Sequence, residues 1–257
     1  MFLKSPILIA LFVFAVLANL YVVSRPLLAS PEKKIFTAKA YILCYHTFLG
    51  KPSVFTDFSI SEFSEQISTL KKNGFRFITL KQLEAKQYEG SKNVLIILDD
   101  GNKTSYQAYK NVLKPLNIKP VFAIYPNVIG KVHYAMTWDQ LKEVQKEGCE
   151  VSSHGYFHLY LKSEFAQKDP KGFAKEIVTS KKVLEEKLGI SVPYFVYPFG
   201  VLSPEAKTLL KQSGYRYAFS LKAKPVEIEK EDYYDMPRYM LTRSTAKSIM
   251  STLLNTL

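Results

Sequence analysis

Short apolar and β-branched runs alternate along this chain with segments of helical spacing, beginning near residue 40. Apolar runs of about four to eight residues are typical of buried strands, and their alternation with amphipathic segments predicts βα units around a parallel sheet. We predict strands at residues 41–45, 75–79, 94–98, 120–125, 149–153, 194–198 and 216–220, with an eighth at 237–241.

The segments between these runs carry helix signals. Phe63, Ile67 and Leu70 recur at helical spacing, and Gly189 and Gly214 follow amphipathic stretches as glycines that close helices do. Seven or eight βα units without a long internal repeat predict a single barrel-like α/β domain.

The start of the chain has a different character. Pro6 to Val23 form a run of about 18 mostly apolar residues, near the minimum length for spanning a bilayer. Because Ala29-Ser30 is a poor cleavage site, we favour an uncleaved signal anchor over a signal peptide for residues 1–24. Residues 25–39 are then a tether, and residues 40–257 form a domain delivered outside the cytoplasm, membrane-anchored or secreted.

The overall composition is that of a globular protein, with 47% hydrophobic and 23% charged residues, which excludes a disordered chain. The formal charge of +12 is dispersed rather than concentrated in one block. A diffuse positive field favours anionic surroundings such as lipid head groups or cell-wall polymers. Since no nucleic-acid-binding motif is present, we expect no nucleic-acid partner.

The chain has two cysteines, Cys44 and Cys149. They are too few for a disulfide framework, and both lie in apolar runs, which predicts two buried thiols. A single bridge between them in an oxidising compartment stays open as the alternative.

Potentially reactive side chains collect where the predicted strands end. His46 follows the first strand, Asp99 and Asp100 follow the third, and His154 follows the fifth. Active sites of α/β barrels are built at the carboxyl ends of their strands, so these side chains are expected to converge.

Their chemistry favours a metal centre. Two adjacent carboxylates after an apolar strand repel one another unless a cation or a shared proton offsets the repulsion. His154 and His158 are four residues apart, and with Asp100 they make the two-histidine, one-carboxylate set of open catalytic sites. Zinc suits these donors best, and cobalt, nickel or iron could also bind them. Taken singly, an aspartate pair can be a solvated turn and a histidine pair can arise by chance, but together they favour the metal.

Three segments resemble the motifs of the NodB-homology polysaccharide deacetylases, carbohydrate esterase family 4. They are Leu98–Gly101, Ser153–His158 and, as a variant, Tyr197–Gly200. The resemblance extends over most of residues 40–242. It implies a single distorted (β/α)7 barrel, here preceded by an N-terminal hydrophobic helix. It also implies hydrolysis of N-acetyl groups on a polysaccharide or oligosaccharide of N-acetylglucosamine type.

The resemblance further implies a role for each site residue. Asp100, His154 and His158 would be the metal ligands, Asp99 the catalytic base, and the backbone N–H of Phe199 an oxyanion donor. These roles agree with general chemistry, because a divalent ion acidifies water and polarises a carbonyl while a nearby carboxylate takes the proton.

The sequence departs from the family pattern at two points. The arginine that usually steadies the catalytic aspartate is absent from the third motif, and Arg238 is the candidate replacement, with an ordinary surface arginine as the alternative. No histidine follows His158 to supply a general acid, which leaves His46 as the candidate, with a structural hydrogen bond or a sugar contact equally open. Both departures resemble the poly-N-acetylglucosamine deacetylase branch.

Other functions remain compatible with these residues. The same site could remove O-acetyl esters from sugars, or the barrel could be a non-catalytic glycan-binding module, although such a module would be expected to lose its metal ligands. A purely structural membrane-tethered protein is a third alternative, which a tightly bound stoichiometric metal would contradict.

Overall fold

A computed structural model describes residues 38–255 of the protein. The predicted signal anchor or signal peptide at residues 1–24, with its hydrophobic helix, lies outside the described residues, as does almost all of the tether at 25–39. Between residues 38 and 255, no helix combines the length and the apolar character needed to cross a bilayer.

Within residues 38–255, eight strands form one parallel sheet. They are β1 (Ala40–Tyr45), β2 (Arg76–Phe77), β3 (Asn93–Leu98), β4 (Val121–Ile124), β5 (Glu150–Ser153), β6 (Tyr194–Val196), β7 (Tyr217–Phe219) and β8 (Tyr239–Met240). Their order is β7-β6-β5-β4-β3-β1-β8, with β2 beside the start of β3. The predicted parallel α/β architecture is confirmed, and each predicted strand position contains a strand.

The apolar runs are continuous because both faces of the strands are buried. Leu43 and Ile96 belong to the core shared with the surrounding helices, whereas their neighbours Ile42, Leu95 and Ile97 belong to a second core on the opposite face of the sheet. Parallel strands that are covered on both faces need no polar alternation, which explains the uninterrupted pattern in the sequence.

The helices connect and cover the strands. They are α1 (Ile60–Lys72), α2 (Leu80–Glu84), α3 (Lys103–Ala108), α4 (Trp138–Lys146), α5 (Ser163–Lys168), α6 (Pro170–Ala174), α7 (Ser180–Leu188), α8 (Pro204–Gln212) and α9 (Ala246–Leu254). Phe63, Ile67 and Leu70 are the buried face of α1, as predicted. A π-helical turn, Lys175–Thr179, joins α6 to α7, and α7 ends at Gly189 in a left-handed conformation.

The segment from Met236 to Met240 contacts both edges of the sheet. Met236 forms a parallel bridge with Phe219 of β7, while β8 pairs with Leu43 and Cys44 of β1. This short segment therefore lies in the opening between the edge strands, and it brings a residue from late in the chain beside the carboxyl ends of β1 and β3.

Candidate active site

The predicted site residues meet at the carboxyl ends of the strands. Asp99 and Asp100 directly follow β3, and His154 directly follows β5. His46 follows β1 and Phe199 lies in the turn after β6. The parallel register carries them to one edge of the sheet, because strands that run the same way end on the same side.

Asp99 is held in a buried ion pair with Arg238. The guanidinium Nη1 of Arg238 lies 3.0 Å from each carboxylate oxygen of Asp99, and its Nε donates to the carbonyl of Ser220 at 3.2 Å. Both side chains are almost completely buried, at 2% and 1% exposed. Arg238 is therefore not a surface arginine. It contacts Asp99, the aspartate that the missing motif arginine would otherwise hold.

Cys44 completes the surroundings of Asp99. Its thiol donates to Asp99 Oδ2 at 3.2 Å. Burial, followed by the charge of Asp99, raises the pKa of Cys44 well above its usual range, so the sulfur keeps its proton and remains a donor. Both cysteines are free and buried, so the prediction of two buried thiols is confirmed and the alternative of a bridge is excluded.

The ion pair decides the charge of Asp99. Burial alone would raise its pKa, but the positive charge of the Arg238 guanidinium lowers the pKa well below the usual range for a carboxyl. Asp99 is therefore an anion throughout the neutral range. Its affinity for a proton is correspondingly low, so any proton that it accepts must come from an acidified donor.

Asp100, His154 and His158 form a converging set of three donors. Asp100 Oδ1 lies 3.4 Å from His158 Nε2 and 3.6 Å from His154 Nε2, and the two imidazole nitrogens are 3.1 Å apart. A tetrahedral ion with bonds of about 2.0–2.1 Å needs ligand atoms about 3.3 Å apart, which is close to all three separations. The spacing of these side chains thus fits a bound metal ion.

The hydrogen bonding of these donors also fits a cation. Asp100 Oδ1 is buried and accepts no hydrogen bond from the part of the chain that the structure describes. His154 Nδ1 lies 2.7 Å from the carbonyl of Val196, to which it donates, so the lone pair of Nε2 points toward Asp100 and His158. A positive ion between these three atoms would stabilise the carboxylate oxygen that has no hydrogen-bond partner.

Burial keeps the imidazoles neutral, as metal ligation requires. It lowers the pKa of His154 to about 4, against the opposing charge of Asp99. Burial, followed by the charge of His154, also lowers the pKa of His158. Desolvation raises the pKa of Asp100, so its anionic form lacks sufficient compensation from the protein alone.

Backbone strain is concentrated at the same place. Asp100, His158 and Phe199 have positive φ angles of 73°, 66° and 57°. Each such conformation costs a non-glycine residue of the order of 1–3 kcal/mol, and it persists only where the surroundings impose it. The strained backbone aims two of the three converging donors.

His46 and Phe199 lie at the rim of the site. The donor atoms of His46, Cys44 and Asp99 all lie within 4.8 Å of one another, which places His46 on the Asp99 side. The ring of Phe199 packs on His158 at 4.5 Å between centroids and stacks on Tyr160 at 3.9 Å. The chemical roles of both residues stay predictions.

Sequence reasoning assigned no site role to Cys44 or Tyr125. Cys44 lies two residues before His46, and residues two apart in a strand lie on the same face. This spacing could have indicated from the sequence that Cys44 belongs to the site. Tyr125 follows β4, and its ring lies 5.2 Å from that of His158. Its position at a strand end was the signal that could have found it.

We expect Arg238→Met to lower the free energy of unfolding by about 3–5 kcal/mol, because it leaves the buried carboxylate of Asp99 without its counter-charge. Urea denaturation measures this loss. Arg216→Met is the matched control, since Arg216 pairs with Glu84 on the surface and is 55% exposed. That change should cost about 1 kcal/mol or less. An equal loss of unfolding free energy in the two variants would show that the buried ion pair stabilises the fold no more than the surface pair does.

Buried carboxylates and paired imidazoles at the strand ends of a parallel α/β sheet are typical active-site residues of a hydrolytic enzyme. The family model for polysaccharide deacetylases matches residues 86–218, more than half of the chain. The chain therefore belongs to the polysaccharide deacetylase family, as the motifs predicted, and is a carbohydrate deacetylase.

Individual relatives agree with this assignment. A poly-β-1,6-N-acetyl-D-glucosamine N-deacetylase of Staphylococcus aureus is 28% identical over 196 residues, covering 72% of this chain and 67% of the relative. The structure of IcaB from Ammonifex degensii superposes with a TM-score of 0.74 at 28% identity, covering 84% of this chain and 97% of that one. A de-N-acetylase from Aggregatibacter actinomycetemcomitans shares the fold, with a TM-score of 0.70 at 20% identity over 84% and 99% of the two chains.

Proposed function

We propose that this protein is a metal-dependent N-deacetylase that acts on a poly-N-acetylglucosamine-type polysaccharide outside the cytoplasm. The observation that carries the metal dependence is the orphaned Oδ1 of Asp100, which faces the Nε2 atoms of His154 and His158 at 3.6 and 3.4 Å. The substrate class is supported by the Staphylococcus aureus relative, which is a poly-β-1,6-N-acetyl-D-glucosamine N-deacetylase.

Asp100, His154 and His158 would hold the ion. Two imidazoles and one carboxylate suit zinc, and cobalt, nickel or iron are accommodated by the same donors. When bound, the ion would supply a Lewis acid that polarises the acetyl carbonyl and increases the acidity of water.

The remaining residues would manage protons and charge. Asp99 accepts a proton from the water that attacks the acetyl carbon, and Arg238 keeps this carboxylate ionised and fixed in place. The backbone N–H of Phe199 donates to the oxygen on which negative charge develops. When the C–N bond breaks, the amine of the sugar needs a proton, which His46 would supply, and acetate leaves.

We propose a distorted (β/α)7 barrel for residues 40–257, in which the segment from Met236 to Met240 closes the gap between the edge strands. The bridges of this segment to Phe219 and to β1 support that arrangement. Residues 1–24 would act as the signal anchor or signal peptide and 25–39 as the tether. The net charge of +12 favours the anionic surface of a cell envelope.

Acetate release tests this proposal. The full chain in detergent is incubated with β-1,6-linked N-acetylglucosamine oligomers and, in parallel, with an O-acetylated sugar. Each reaction is run as purified, after chelation, and after addition of Zn²⁺ or Co²⁺. We expect release from the N-acetyl substrate that chelation abolishes and metal restores. Release from the O-acetyl substrate alone would identify a sugar O-acetyl esterase instead.

A further inference from the structure

A buried carboxylate holds the loop that carries His158. Glu176, which is fully buried, accepts hydrogen bonds from the backbone N–H groups of Tyr156 at 3.0 Å, Phe157 at 2.9 Å and Leu159 at 3.2 Å. These three donors lie on both sides of His158 in sequence. Its backbone is thus fixed at the positive φ that aims the ring.

A second side chain of the same helical stretch holds the start of this loop. Ser180, four residues after Glu176, donates its hydroxyl to the carbonyl of Gly155 at 2.7 Å. Residues four apart share one face of a helix, so both side chains reach the loop together. Glu176 lies within the π-helical turn Lys175–Thr179, and such turns re-aim side chains and are frequent at functional sites.

The loop is also shaped to admit this carboxylate. A Cβ atom at Gly155 would lie 2.6 Å from Glu176 Oε2 and 3.2 Å from Pro198 Cγ, and Gly155 has a φ of +79°. Any larger residue there would push the loop away from the carboxylate. The close approach of loop and carboxylate depends on the missing side chain.

Glu176 has no role in a surface charge network. Within residues 38–255 it forms no ion pair, and its hydrogen bonds run to the loop backbone. A buried carboxylate is costly unless it is hydrogen-bonded, so the loop and the carboxylate stabilise each other. The loop is the partner that makes burial of Glu176 tolerable.

We propose that Glu176 is a positioning residue for the metal centre. Its carboxylate holds the loop of residues 155–159 so that His158 Nε2 faces His154 Nε2 and Asp100 Oδ1. The link to metal binding rests on the proposed function, whereas the ordering of the loop follows from the hydrogen bonds alone.

Glu176→Gln tests this role in the full chain. The amide keeps the shape of the side chain, but it replaces one acceptor oxygen with an NH2 group that faces backbone N–H donors. We expect the affinity for Co²⁺, measured by titration of the absorption of bound Co²⁺, to fall roughly 10- to 100-fold. Mutation of residues that support metal ligands through hydrogen bonds typically causes a loss of this size. Hydrogen exchange in the metal-free protein should become faster at residues 156–159.

Glu150→Gln is the matched control. Glu150 is also a buried carboxylate, and it lies at the amino end of β5, away from the proposed metal ligands. It accepts hydrogen bonds from the backbone N–H groups of Leu80 at 2.6 Å and Lys81 at 3.0 Å. It should lose stability but keep wild-type Co²⁺ affinity and wild-type exchange at 156–159. Equal weakening of Co²⁺ binding in both variants would overturn the proposal, as would wild-type affinity and loop exchange in Glu176→Gln.

Two further measurements keep the outcome decisive. If Glu176→Gln does not fold, Ser180→Ala replaces it as the test, because it removes the other hydrogen bond that holds the loop. Ser180→Ala should then weaken Co²⁺ binding. Unchanged Co²⁺ affinity and unchanged hydrogen exchange of the loop would overturn the proposal. If the wild-type protein binds no Co²⁺, the proposed metal centre fails. The role of Glu176 in positioning a metal ligand then fails as well. Hydrogen exchange at residues 156–159 in the wild type and in Glu176→Gln still shows whether Glu176 orders the loop.

Discussion

His154→Ala is expected to abolish metal binding and to reduce acetate release to background. His154 presents an Nε2 lone pair that its bond to the carbonyl of Val196 fixes in place, and catalytic sites of this type need three protein ligands. Without it, only Asp100 and His158 remain to hold the ion. Metal content after dialysis against trace metal, measured by mass spectrometry, should fall from stoichiometric to background.

The same result is expected for His158→Ala and for Asp100→Ala. His133→Ala is the control, because His133 lies exposed in the loop before α4 and is the one histidine far from the strand ends in sequence. It should keep both the metal and the activity. A His154→Ala protein that retains stoichiometric metal would show that the ion is bound elsewhere.

The positions of Asp100, His154 and His158, the proposed metal ligands, followed from the sequence because their placement is a property of parallel sheets. Apolar runs marked β3 and β5, and the polar residues directly after them had to lie at the same edge. The spacing of His154 and His158 then required only a short loop to bring the rings together. Local pattern and fold class were sufficient for this part of the site.

The environment of Asp99 depends on contacts that no local pattern encodes. Arg238 is 139 residues away in sequence, and it reaches Asp99 because Met236 and β8 contact opposite edges of the sheet. A missing motif arginine pointed to Arg238 as a candidate, but only the course of the chain shows that it is buried.

Glu176 was inaccessible to sequence reasoning for a related reason. Its neighbour Ile177 lies four residues after Phe173, a helical spacing of apolar residues that predicts a buried position, and an adjacent glutamate is normally expected in solvent. The π-helical turn Lys175–Thr179 shifts the register of the helix, and Glu176 then faces the loop. A local break in helix geometry therefore hid a buried polar contact from the periodic pattern.

Asp99→Asn is expected to lower turnover by about 10²- to 10⁴-fold, the contribution of a positioned acid or base, while metal content stays unchanged. The amide is close in shape to the carboxylate and can still accept a hydrogen bond from Arg238, but it cannot take a proton from water. Asp99 is not among the three converging donors. Steady-state kinetics of acetate release, together with metal analysis of the same sample, measures both effects.

The kinetic pattern separates a base from a structural role. Loss of a group that acts in the transition state lowers kcat and kcat/KM together, whereas loss of substrate binding would raise KM with kcat unchanged. Asp99→Asn also leaves the buried Arg238 cation without its anion, so its unfolding should be compared with that of Arg238→Met. If the folded, metal-loaded Asp99→Asn protein were fully active, Asp99 would not be the base. Its ion pair with Arg238 would then serve only to hold β1, β3 and the segment before β8 together.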